Sequence, residues 1–301
     1  MKHILLSGST GFVGQNLIQY FQETTLGTIQ PLNLREPLAG NLPSADAVIH
    51  LAGKAHDTGN TSKPQEYFDI NYGLTKELFD RFLDSNIQDF IYFSSVKAVA
   101  DTVEGKLTEE SNPQPKTAYG QSKLKAEEYL LSKELPEGKR LFILRPCMIH
   151  GPGNKGNLNL LYKVVKFGIP YPLGAFHNRR SFLSIENLLF ILNRILTNQS
   201  IPGGVYNLAD DEALSTIEVI RIIAEASKTK AKIWTLSSDL ITKLAKVGDK
   251  IHLPLNSERL KKLTESYEVS NEKIKAALAI IALPVNVREG LTITIKSFSN
   301  S

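Results

Sequence analysis

The chain is poor in the residues that announce chemistry on their own. It has a single cysteine, Cys147, so no intrachain disulfide can form, and such usage fits a reducing compartment. No run of 18 or more apolar residues occurs, so no transmembrane helix is expected. The opening stretch, MKHILLSGSTGFVG, meets glycines too early for a secretion signal, and a cytoplasmic location is expected. The six histidines are scattered without a spaced ligand pair, so no metal site is expected. Dense basic runs are missing too. The tightest, Lys228 to Lys232, alternates with Thr and Ala and reads as a solvated helix end. Neither nucleic acid nor membrane is expected as a partner. What is present is an ordinary globular composition, 42% hydrophobic and 22% charged, which argues against extended disorder. The net charge of +4 suits a small acidic substrate such as a nucleotide diphosphate.

Apolar runs alternate with helical periodicity through the first half. Strands are expected over residues 2–7, 26–34, 47–52, 89–95 and 140–147, and helices over 12–24, 65–84 and 118–133. Strands that are apolar throughout, separated by helices, predict an α/β fold: a Rossmann, doubly wound parallel sheet covered on both faces. After Gly151 the pattern loosens. Helical pieces are expected over 158–167 and 184–197, a strand over 204–208, and a helix opened by the capping box Ser215-x-x-Glu218. From residue 232 the tail reads as short helices and loops, with helices over 270–279 and 287–298. The expected division is a dinucleotide-binding domain over 1–150, to which 181–208 returns. A smaller, discontinuous substrate lobe then comprises 151–180 and 209–301.

Gly8-Ser-Thr-Gly11-Phe-Val-Gly14 follows the first strand and opens the first helix. Glycines there permit a tight turn and close approach of a pyrophosphate, and the helix start presents unpaired N–H groups to it. At the end of the second strand stand Asn33, Arg35 and Glu36. Asn33 does not repel a 2′-phosphate and Arg35 can pair with one, which leans towards NADP, while Glu36 keeps NAD open. Tyr119-Gly-Gln-Ser-Lys123 places a phenol and an ammonium one helical turn apart, on one face. A nearby lysine favours the tyrosinate, so Tyr119 can exchange a proton with a hydroxyl or carbonyl. Ser94-Ser95 ends a strand, where parallel-sheet enzymes bind ligands, and Ser95 is the candidate to hold the substrate oxygen.

Together, Gly8/Gly11/Gly14, Ser95, Tyr119 and Lys123 resemble the extended short-chain dehydrogenase/reductase family, in its NAD-dependent nucleotide-sugar epimerase/dehydratase branch. Further matches are His50-Leu-Ala-Gly53, Asn71-Tyr-Gly-Leu-Thr75, Leu144-Arg-Pro146, Gly151-Pro-Gly153 and the stretch from Arg180 to Leu188. The resemblance implies hydride transfer at NAD or NADP. The implied cofactor-binding set is Gly8, Thr10, Gly11, Phe12, Val13, Gly14, Asn33, Arg35, Leu51, Ala52, Gly53, Asn71, Ser94, Tyr119, Lys123 and Pro146. The implied catalytic set is Ser95, Tyr119 and Lys123. For the substrate, a nucleotide-diphosphate sugar expected to be UDP-linked, it implies Ser95, Tyr119, Asn157 and Arg180, with Arg179 a rival for Arg180. An amide and a guanidinium both suit diphosphate oxygens. A homodimer through residues 65–84 and 118–133 is also implied.

Two departures from the family pattern carry information. Sugar 4,6-dehydratases of this family have Asp-Glu directly after the catalytic Ser or Thr, whereas this chain has Val96-Lys97. Water elimination needs an acid and a base there, so a dehydratase is not expected. An epimerase or 4-ketoreductase, reacting at C4 of the sugar, needs only Ser95, Tyr119 and the cofactor. Between Arg35 and Asp46, where the family spends a strand and a helix, two prolines and a glycine predict a loop and a sheet shortened at that edge. His56 and Cys147 read as a solvated loop histidine and a buried apolar residue. The competing readings are a non-catalytic NAD(P)-binding regulator, which would have no need of the tyrosine–lysine pair, and a reductase of a non-nucleotide carbonyl.

Overall fold

A computed structural model describes residues 1–36, 40–55, 63–154, 156–251 and 256–299. In chain order the first half comprises β1 (Lys2–Ser7), α1 (Phe12–Glu23), β2 (Gly27–Leu32), β3 (Ala47–His50), α2 (Pro64–Tyr67), a π-helical segment (Phe68–Gly73), α3 (Leu74–Leu83), β4 (Asp89–Phe93), a 3₁₀ turn (Val96–Ala98), β5 (Lys106–Leu107), α4 (Ala118–Leu131) and β6 (Arg140–Pro146). The second half adds β7 (Met148–His150), α5 (Asn157–Lys166), β8 (Arg180–Ser184), α6 (Ile185–Thr197), β9 (Gly204–Leu208), β10 (Ala213–Leu214), α7 (Thr216–Ala226), α8 (Ser238–Ile251), α9 (Ser257–Thr264), β11 (Glu268–Val269), α10 (Glu272–Leu278) and α11 (Val287–Ser299).

The main sheet is parallel and ordered β2-β1-β3-β4-β6-β9. The strands inside the edge strand β2 are largely buried because both sides of the sheet are covered, whereas β2 alternates and is exposed on one side. Ile4 and Leu6 of β1 join a core with Leu17 and Phe21 of α1 and Ile191 and Ile195 of α6. Leu5, between them, points the other way and packs with Leu78, Phe79 and Phe82 of α3 and Leu130 of α4. β2 is the edge strand, and its Pro31 sits where a missing N–H is tolerated. After β2 the chain crosses to β3 on the far side of β1, and the described residues of 33–46 form neither strand nor helix. Among the described residues no strand lies outside β2, in line with the loop expected there.

The rest of the chain packs α5, α7 and α11 around Tyr162, Ile222, Ile223 and Leu291, beside a small sheet ordered β10-β8-β7. Three features differ from the sequence reading. The expected helix over 65–84 is interrupted by the π segment, where the Asn71 carbonyl accepts from the Thr75 hydroxyl at 2.7 Å. β7 and β8 fall largely between the expected elements, being too short to show a period. The tail contains α8, a 14-residue helix.

Candidate active site

The site lies beyond the carboxyl ends of β1, β3, β4 and β6, where side chains and loops leave the sheet. Gly8 has φ +73°, and a Cβ there would stand 2.7 Å from the Ala52 nitrogen. A Cβ on Gly14 would stand 2.4 Å from the Gly8 carbonyl oxygen. The loop therefore requires glycine at both positions. Gly11 caps α1 without any side-chain acceptor, leaving first-turn N–H groups to face the loop. That cradle fits the pyrophosphate of a dinucleotide.

Two adjoining clefts open here. The larger, about 880 Å³, is lined by Gly8, Thr10, Gly11, Leu32, Asn33 and Arg35 on one side and by Leu51, Ala52 and Gly53 on the other. The smaller, about 340 Å³, shares Gly8, Gly11, Leu51 and Gly53 and adds Phe12, Val13, Gly14, Ser94, Ser95, Tyr119, Lys123 and Pro146. Most of the residues singled out in the sequence thus converge on one continuous cavity. Asn71 lines neither cleft. It is buried behind them, where its Oδ1 accepts from the Lys54 N–H at 2.7 Å. Its Nδ2 donates to the Lys54 carbonyl at 3.2 Å and to Ser122 Oγ at 3.0 Å. Its place is to fix the loop after β3. Asn157 and Arg180 are likewise not among the cleft-lining residues. Asn157 is exposed in the first turn of α5. Arg180 is half-buried, and its Nε donates to the Glu265 carbonyl at 3.2 Å. Arg179 is exposed, with Nε 3.4 Å from Glu268. His56 lies outside the described residues.

The two serines after β4 are separated by their partners. Ser94 Oγ donates to the carboxylate of Glu127, which Arg145 grips through Nε at 3.0 Å and Nη2 at 2.5 Å. Ser95 Oγ accepts from the Lys97 N–H at 3.2 Å and lines the same cleft as Tyr119. Tyr119 stands edge-on to Tyr67, ring centroids 6.2 Å apart. Burial raises the Tyr119 pKa, and the Ser95 hydroxyl opposes the rise. Lys123, one turn along α4, donates to the Phe93 carbonyl at 2.8 Å. Burial lowers its pKa to about 8, with the Glu127 carboxylate holding it up. The sequence reading assigned the tuning of Tyr119 to Lys123. In the folded chain the Lys123 ammonium donates to the end of β4, and Ser95 acts on the phenol in the lowering direction.

Behind the glycine loop, His50 is fully buried and its pKa is depressed to about 3, first by burial and then by Lys123. Its nitrogens meet Ser7 Oγ at 2.6 Å and Thr75 Oγ1 at 2.9 Å. Thr75 donates to Asn71 O and so accepts from Nε2–H, leaving Nδ1 to accept from Ser7. Ser7 Oγ in turn accepts from the Ala52 N–H at 3.2 Å. A neutral imidazole on β3 thus joins β1 and α3 behind the glycine loop.

Glu127, Arg145 and Lys54 were not singled out as site residues by the sequence reading. Glu127 lies on the Tyr119–Lys123 face, four residues further on, which is the signal that locates it. Lys54 borders both clefts and pairs with Glu66 at 2.6 Å. Cys147 lines the smaller cleft, and burial pushes its thiol well above the ordinary range, so it offers no thiolate.

A Rossmann sheet, a glycine cradle and a serine–tyrosine–lysine cluster in one cavity define a dinucleotide-binding protein of the short-chain dehydrogenase/reductase type. Residues 4–209 match the model of the NAD dependent epimerase/dehydratase family, and the chain belongs to that family. It is 30% identical over 248 residues to a UDP-glucose 4-epimerase of Vibrio cholerae, covering 75% of this chain and 76% of that protein. It is 28% identical over 253 residues to a GDP-6-deoxy-D-mannose reductase of Pseudomonas aeruginosa, covering 77% and 82%. The solved structure of RMD from Pseudomonas aeruginosa complexed with NADPH shares the fold, with TM-score 0.75, 21% identity and full coverage of both chains.

Proposed function

We propose that the protein binds NAD or NADP and transfers hydride at C4 of a sugar carried on a nucleotide diphosphate, UDP-linked, as an epimerase or a 4-ketoreductase. The observation that carries this reading is the meeting of Ser95, Tyr119 and Lys123 in the cleft that the glycine loop also lines. When bound, the dinucleotide supplies the hydride acceptor or donor. Tyr119 takes the proton from the sugar O4 on oxidation and returns it on reduction. Ser95 hydrogen-bonds the same oxygen, steadying it as its charge changes. Lys123 lies one turn from Tyr119 and is held by the end of β4, within reach of ribose hydroxyls. The cleft beside Asn33 and Arg35 receives the adenosine end, and Arg35 pairs with a 2′-phosphate.

Dehydration is not part of the reading. Val96 is buried, and the Lys97 ammonium donates to the Asp101 carbonyl at 2.8 Å, so the positions after Ser95 provide no acid–base pair. Residues 151–180 and 209–301 form the substrate lobe, with Arg180, or Arg179 beside it, turning to the diphosphate once substrate is bound. Two copies associate through α3 and α4.

The test is incubation with UDP-glucose, UDP-N-acetylglucosamine and their 4-keto forms, followed by NMR of the sugar and the near-ultraviolet absorbance of reduced nicotinamide. C4 inversion without net cofactor turnover identifies an epimerase. Stoichiometric loss of reduced cofactor identifies a reductase. Absence of binding to every nucleotide sugar overturns the proposal.

A further inference from the structure

α8 is apolar on two sides. Ile241 and Ala245 are buried with Leu173 and Leu260, which accounts for one side. Leu240, Leu244 and Val247, spaced four and three residues apart, form a second stripe and are each 49% exposed. Lys243 and Lys246 are exposed along the flank of that stripe away from the buried side. Four residues ahead of α8 stands Trp234, the single tryptophan of the chain, 56% exposed. Its N–H donates to the Tyr171 carbonyl at 2.9 Å, and the Tyr171 N–H donates to the Lys232 carbonyl at 2.8 Å. These bonds set Trp234 and Lys232 beside the segment after α5, where Phe167 and Ile169 are exposed on either side of Gly168. A Cβ on Gly168 would stand 3.3 Å from Lys232 Nζ. Single exposed apolar residues need no explanation, but this concentration on two adjacent pieces of chain marks an interaction surface.

Charge identifies what it meets. Residues 228–247 carry five lysines against one aspartate, a net +4 that equals the charge of the whole chain. A second copy would bring the same +4 to the contact and be repelled. An anionic bilayer offers a negative plane to the lysines and an acyl boundary to Trp, Phe and Leu. We propose that Trp234, Phe167 and the outer stripe of α8 dip into the interface of an anionic membrane, with the lysines of this segment on its headgroups. Among the described residues no helix is long and apolar enough to cross a membrane. Bound through this patch, the protein would lie on the membrane surface rather than span it.

Because Trp234 is the only tryptophan, its emission reads the contact directly. The full-length protein is titrated with vesicles of phosphatidylcholine alone and of phosphatidylcholine mixed with phosphatidylglycerol. The expected result is a blue shift, and quenching by brominated acyl chains, with the anionic vesicles only. K243Q and K246Q should each weaken partitioning about five-fold. The double variant L240S/L244S should abolish the shift while retaining the far-ultraviolet circular dichroism of the wild type, since both positions are exposed. An unchanged emission on anionic vesicles, equal binding to neutral ones, or full binding by L240S/L244S overturns the proposal. So does a blue shift produced by raising protein concentration without lipid, which would assign the patch to a second copy.

Discussion

Asn71 holds Lys54 by both of its backbone groups, accepting its N–H at 2.7 Å and donating to its carbonyl at 3.2 Å. The loop after β3 borders both clefts, so its shape is set by a residue that the cavity does not touch. A Cβ on Gly53 would come within 2.9 Å of Asn71 Oδ1 and 3.2 Å of Lys123 Nζ, so the loop, the amide and the lysine form one packed unit. Asn71→Ala should lower stability by about 1–3 kcal/mol, through buried groups left without partners. It should also raise the dissociation constant for the dinucleotide. Urea unfolding and cofactor titration measure the two effects, and a variant that binds cofactor as the wild type does would refute the clamp.

Ser94 and Ser95 are chemically identical neighbours with different partners, and their alanine variants should differ in kind. Ser95→Ala removes the partner of Tyr119 and should lower kcat about a hundred-fold with little change in stability. Ser94→Ala strips one bond from the buried Glu127 carboxylate and should cost about 1 kcal/mol in stability, with a much smaller effect on kcat. Steady-state kinetics and urea titration of the pair check the assignment.

Lys123 gives a pH signature. Its folded pKa of about 8 lies below the ordinary lysine value of 10.5, so between these values the unfolded chain binds the extra proton. The contribution of this residue therefore rises as pH increases through that window. Below it, the buried cation costs stability on the order of 3 kcal/mol. Comparing urea midpoints of wild type and Lys123→Met from pH 7 to 10.5 should show the wild type gaining on the variant as pH rises. A constant difference would contradict the burial argument.

Arg35 is exposed at the rim of the larger cleft, and the Asn33 side chain accepts its backbone N–H at 3.1 Å. Arg35→Ala should weaken NADPH about ten-fold and leave NADH unchanged, if the guanidinium meets the 2′-phosphate. Equal losses for both would move that contact elsewhere.

Much of the cavity was legible in the sequence because its parts are local. A glycine loop is a strand, three glycines and a helix start within fourteen residues, and Tyr119 and Lys123 share a helix face. The edge loop was legible because two prolines and a glycine within ten residues leave no stretch long enough for a strand and a helix. What escaped was the product of tertiary contact. Nothing near Asn71 in sequence says that it reaches Lys54, seventeen residues back, and nothing near Glu127 says that Arg145 and Ser94 close on it. Asn157 and Arg180 suit phosphate by chemistry, but residue type does not fix orientation, and Arg180 turns to the Glu265 carbonyl.

The most direct measurement compares wild type and Tyr119→Phe, each loaded with oxidised cofactor and mixed rapidly with UDP-sugar, with reduced nicotinamide followed by absorbance. Removal of the one hydroxyl leaves the cradle and the lysine in place, so cofactor and substrate should still bind while hydride transfer slows at least a hundred-fold. Transfer at the wild-type rate in the phenylalanine variant would show that proton exchange does not pass through Tyr119.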